Sequence, residues 1–193
     1  MIVLYVSGAK IKHMVGVVGL VALAGIAGII FEPYRMARFT SFINPWADPK
    51  GSGYQLIQSL LAMGSGGIWG VGLGRSRQKC YYIPEPHNDF IFSIIGEELG
   101  LIGCTIIIAL FVVLVWRGIV IAVKARDTYG TLLATGITSV IAVQAIINIA
   151  VVTGSMPVTG VPLPFISYGG SSLVINMIAM GVLLNISRQN EYT

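Results

Sequence analysis

Apolar residues run along this chain in long unbroken stretches, with the polar residues gathered in a few places between them. Met14–Phe31 and Leu99–Trp116 are each 18 residues without a charge, and Thr128–Ser187 continues for 60. A bilayer core takes roughly 20 apolar residues of helix, so these runs have the length of membrane spans. The longest is broken in its middle, where three prolines and four glycines between positions 154 and 170 forbid a regular helix. The pattern predicts four helices, about 14–31, 90–116, 130–152 and 171–187. Met1–Gly8 is apolar but too short to span. It has no basic leader and no small-residue cleavage site, so it does not read as a signal peptide. It reads as the tail of a helix that begins earlier, which predicts a fragment of a larger bundle.

The polar 32–88 segment between the first two spans exceeds 50 residues, and connections of that length are usually functional. It has internal order. Tyr34–Phe42 mixes aromatic rings with Arg35 and Arg38 as an interfacial helix does, and Asn44–Pro49 is a turn cluster. Gly51–Gly74 is charge-free for 24 residues but holds eight glycines. A short helix at Tyr54–Met63 followed by a glycine-rich segment fits better than a span. That segment is either re-entrant or on the surface, and at membrane depth such backbone needs protein or water over it.

Composition supports the class. Only 10% of the 193 residues are charged, against about a quarter in soluble domains, and the mean hydropathy is +0.82. The expected fold is an all-α polytopic membrane protein: one membrane domain over 1–193, about four complete transmembrane helices and a partial one, and the 32–88 loop. Basic residues in short loops set orientation. Arg117, Lys124 and Arg126 mark one connection as cytoplasmic, whereas the corner at 153–170 has no basic residue. Parity then places Lys10, Lys12 and Arg188 inside, with the C-terminus cytoplasmic. The 32–88 loop falls outside despite its six basic residues, since long loops weigh little in this rule. The net charge of +4 fits anionic headgroups and calls for no nucleic acid. Cys80 and Cys104 imply no disulfide framework.

The densest chemistry lies at Pro84-Glu85-Pro86-His87-Asn88-Asp89-Phe90. Prolines stiffen the approach to Asp89, a lone carboxylate where the polar loop meets a span. Such a placement suits a substrate with a lipid tail and a polar head. Taken alone, an aspartate at a helix start is equally a cap. Glu97 and Glu98 should face protein or water, and interhelical hydrogen bonding is their plainest use. His87 can tune Asp89 or bind metal, although with His13 on the other face there is no ligand set. Arg75, Arg77 and Lys79 alternate, so in extended backbone they share a face and could hold a diphosphate. They are equally explained as solvated surface charges. The corner around Ser167 and Tyr168 either walls a lipid groove or only turns the chain.

Three segments carry a resemblance. Pro84–Phe92 with Gly96-Glu97-Glu98-Leu99-Gly100 is similar to the signature of the SEDS family (shape, elongation, division and sporulation), as is Pro162–Ser172. The run from Pro33-Tyr34-Arg35 through Pro45-Trp46-Ala47-Asp48-Pro49 to Gly51-Ser52-Gly53-Tyr54-Gln55 resembles the FtsW/SpoVE branch more than the RodA branch. The resemblance implies the C-terminal half of a ten-helix glycosyltransferase in the bacterial plasma membrane, serving division or sporulation. That enzyme polymerises lipid II into peptidoglycan beside a class B penicillin-binding transpeptidase. Asp89 matches the family's essential acidic residue, with Asn88 where many relatives carry threonine. Substrate contacts are expected from Glu85 and His87, from Ser167 and Tyr168, and from Arg75, Arg77 and Lys79. Glu97 and Glu98 are expected to be structural. No covalent cofactor is implied; a divalent cation, Mg or Mn, can assist. The alternatives are a lipid II flippase lined by the glutamates and a non-catalytic scaffold for the transpeptidase.

Overall fold

The structure, a computed structural model, describes residues 1–76 and 89–191. Among these the only regular elements are helices. A one-turn piece, α1 (Ile2–Val6), precedes α2 (Ile11–Phe31), α3 (Pro33–Ile43), a short 3-10 turn at Pro45–Ala47 and α4 (Tyr54–Gly66). Three long helices follow: α5 (Ile91–Lys124), α6 (Thr128–Val152) and α7 (Gly170–Glu191). Four of these, α2, α5, α6 and α7, are long and apolar enough to cross a membrane, as the hydropathy pattern predicts.

The helix ends differ from expectation in one informative place. The second span was predicted to stop at the first cation, near residue 116, yet α5 runs on to Lys124. Gly118–Val123 is apolar, and a single arginine inside a helix can lift its head group toward the interface. The connection to α6 shrinks to three residues, Ala125–Asp127. Asp127 caps α6 by accepting from the Gly130 N–H at 3.2 Å.

Inside α5 the backbone breaks at Gly100 (φ +67, ψ −163). A break in a membrane helix strands backbone donors and acceptors, and each must find a partner. The glycine-rich segment after α4 supplies them. Val71 and Gly72 N–H donate to the Glu97 and Glu98 carbonyls at 2.9 and 3.0 Å. In return Leu101 and Ile102 N–H donate to Gly67 and Ile68 at 2.9 and 3.3 Å. The two chains touch so closely that a Cβ on Gly100 would stand 2.4 Å from the Gly70 nitrogen. The segment lies against α5 through these backbone bonds, with Ile68, Trp69 and Leu73 exposed.

The pairing divides α5. From Ile91 to Gly100 the helix buries Phe92, Ser93, Ile94, Gly96 and Glu97 against α4 and α6, while most of Leu101–Lys124 stays exposed. The core lies around Phe90, Phe92, Cys104, Ala145, Val151, Val152 and Leu163. By contrast, no residue of Ile11–Gly28 in α2 is buried. Its C-terminal end turns into α3, an amphipathic helix.

Candidate functional site

Asp89 sits where the start of α5 meets the corner between α6 and α7. It is half-buried and stands one residue ahead of Phe90, the N-cap position of α5. Phe90 and Phe92, each 1% exposed, drive into the core on its helical side. A ring packed this way fixes the backbone beside it, because withdrawing it forfeits many dispersion contacts.

The polar half of the anchor comes from α6. Asn148, 1% exposed, donates from Nδ2 to two main-chain carbonyls, Asp89 at 2.9 Å and Val161 at 2.8 Å. A buried amide left unpaired costs free energy, so these bonds hold the start of α5 and the corner in one register. Asn148 Oδ1 is buried with no partner among the described residues. On the carboxylate side the corner passes closer still. A Cβ on Gly160 would lie 3.4 Å from Asp89 Oδ2, and Gly160 has φ +70, which favours glycine.

Two further ties hold the corner. Arg38 of α3 donates from Nη1 to the Val158 carbonyl at 3.1 Å and from Nη2 to the Tyr34 hydroxyl, with its guanidinium 4.6 Å above the Tyr34 ring centroid. Ser59 of α4 donates to the Val152 carbonyl at 2.9 Å, where α6 ends. The corner then descends along α5. Pro164, Phe165 and Ile166 enclose a small cavity of about 160 Å³ with Ile107, Leu110, Phe111 and Leu114.

The residues singled out by sequence are not all brought together. Asp89 stands at the junction just described. Ser167 locks the corner's turn, its Oγ accepting the Leu163 N–H at 2.7 Å, while Tyr168 is 81% exposed. Arg75 is exposed, just past the glycine-rich segment. Arg77, Lys79, Glu85 and His87 lie outside the described residues. Glu97 is buried and accepts from the Ser76 hydroxyl. Glu98 keeps a buried Oε1 with no partner among the described residues. No group of three or more His, Cys, Asp or Glu side chains fit to hold a metal occurs among the described residues.

Sequence reasoning missed Asn148, Gly160 and Arg38 as parts of this site. Asn148 had a readable signal, an amide one turn after Gln144 near the end of a charge-free span. The partners of Arg38 and Gly160 lie 120 and 71 positions away, and no local pattern reveals such pairing.

Taken together, the fold and site define a helical, multi-pass membrane protein with a carboxylate held where one span meets the corner between two others. Residues 1–192 match the family FTSW_RODA_SPOVE, described as cell cycle protein, and the chain belongs to it. It is 57% identical over 191 residues to stage V sporulation protein E of Bacillus subtilis (strain 168), covering 99% of this chain and 52% of that one. A probable peptidoglycan glycosyltransferase FtsW of Geobacter sp. (strain M18) is 49% identical over 186 residues, 96% of this chain and 51% of that one. A solved structure described as "Structural coordination of polymerization and crosslinking by a peptidoglycan synthase complex" superposes with TM-score 0.73 at 29% identity, covering 98% of this chain and 52% of that chain. The chain thus spans about half the length of the curated relatives it matches.

Proposed function

We propose that this chain forms the C-terminal half of a peptidoglycan glycosyltransferase that polymerises lipid II, with Asp89 as its general base. The observation that carries the reading is the anchoring of Asp89. Its carbonyl is tied to Asn148 and its Oδ2 faces the glycine of the corner, so the carboxylate is held in place at the mouth of the bundle. The relatives' names support the reaction class.

In this mechanism an acceptor sugar hydroxyl attacks the anomeric carbon of the donor. Asp89 takes the hydroxyl proton as the new C–O bond forms. The bond from that carbon to the diphosphate breaks with inversion, and undecaprenyl diphosphate departs with the electron pair. A glycosidase needs an acid as well as a base; a diphosphate leaves as a stable anion, so one base with nearby cations is sufficient. A divalent cation would enter with the diphosphate, and no step is assigned to it.

In the proposed orientation Asp89 and the 32–88 segment face the extracytoplasmic side, with Arg117, Lys124, Arg126 and the C-terminus in the cytoplasm. The partner is a class B penicillin-binding transpeptidase, in line with the synthase complex that the chain resembles. Transport of the lipid-linked precursor is the second reading, favoured by the buried Glu98 Oε1, which has no partner among the described residues. The full-length protein with fluorescent lipid II separates them. Asp89→Ala should abolish polymer on a gel, whereas Glu98→Gln should leave it; the reverse pattern would favour transport.

A further inference from the structure

Between α3 and the corner lies an open groove of about 610 Å³, lined by Glu32, Tyr34, Arg35, Arg38, Val158 and Thr159 among others. Among the described residues its charged groups are two guanidiniums and one carboxylate, a net positive surface. Arg38 is pre-oriented there: the Val158 carbonyl, the Tyr34 hydroxyl and the Tyr34 ring together fix its plane. Those bonds use two of the five N–H donors of a guanidinium, which leaves others for a ligand. The groove also lies near the carboxylate. Val158 is two residues before Gly160, at most about 7 Å of chain, and Gly160 is the residue that Asp89 Oδ2 faces.

A planar, always-charged fork held rigid beside a groove matches phosphate oxygens, and its cost of ordering is already met by the fold. We propose that this groove is the binding site for the phosphate-bearing part of the polyprenyl-linked substrate, with Arg38 as the principal contact and Arg35 as the second. The inference rests on the polymerase reading and deepens it. It puts the leaving group's cation on α3, whereas the motif reading looked to Arg75 and the residues after it.

Binding of undecaprenyl diphosphate to the full-length protein in phosphatidylcholine nanodiscs tests this. Arg38→Gln should weaken binding at least tenfold and Arg38→Lys by less, because lysine keeps the charge without the fork. Asp89→Ala should bind within twofold of the unmodified protein while making no polymer. That result separates the two ideas, since an active Asp89→Ala protein would remove the base and leave the groove standing. Arg35→Gln touches no tie to the corner; it should weaken binding at least threefold, and it decides the matter if Arg38→Gln fails to elute as a single species. Unchanged affinity in the folded arginine variants would overturn the site. Nanodiscs containing phosphatidylglycerol distinguish the source of the phosphate. If Arg38→Gln abolishes phosphatidylglycerol competition yet binds undecaprenyl diphosphate normally, the groove serves bilayer lipid and the proposal fails.

Discussion

The two ends of the α5–α6 pair are built on different principles. At one end the helices are joined by Ala125–Asp127, capped by Asp127 and packed through Ala122, Ala134 and Leu183. Gly118 there lets Thr138 approach closely, the small-residue packing by which membrane helices meet. At the other end, side chains from three helices reach to main-chain carbonyls: Asn148 to Asp89 and Val161, Ser59 to Val152, and Arg38 to Val158. Buried polar groups are expensive in lipid. The first end buries one, the Thr138 hydroxyl, with no hydrogen-bond partner among the described residues. Their concentration at the second end marks it as the part where position matters.

Three substitutions sharpen that contrast. Gly100→Val should have the largest effect, because its Cβ would collide with the Gly70 backbone and its φ is unfavourable for valine. A loss of about 3 kcal/mol or more is expected, seen as failure to recover folded protein from detergent; a normal melting curve would mean that the break in α5 is not held as described. Asn148→Leu comes next. Removing both donors strands two part-buried carbonyls and should cost about 2 kcal/mol, read as a lowered melting temperature with normal helix content by circular dichroism. An unchanged melt would show that the clamp contributes nothing to stability. Asp127→Ala, at the plain end, should cost only about 1 kcal/mol, the loss of one helix cap. It should leave glycan synthesis intact; a loss of synthesis at normal stability would mean the ends are not distinct in role.

Much of the fold was legible because its main signals are local. Span length and charge-free runs located the four long helices, and proline and glycine marked the corner. The mixed aromatic and basic pattern of Tyr34–Phe42 located α3. The error at the end of α5 came from treating Arg117 as a boundary, when a long side chain can lie along the helix and reach the interface. What could not be read was pairing at a distance. The glycines of Gly67–Gly72 suggested irregular backbone, but only the fold reveals that they repair a break thirty residues later in α5. The site divides the same way: Asp89 was visible from its motif, whereas Asn148, Arg38 and Gly160 gain meaning only from partners far along the chain.

The most direct measurement compares glycan polymer made from fluorescent lipid II by the full-length protein and by its Asp89→Ala variant, at matched amounts of folded protein. The account predicts a fall of roughly a hundredfold or more, the scale of a lost general base, with binding of undecaprenyl diphosphate retained. Polymerisation by the variant at the rate of the unmodified protein would contradict it.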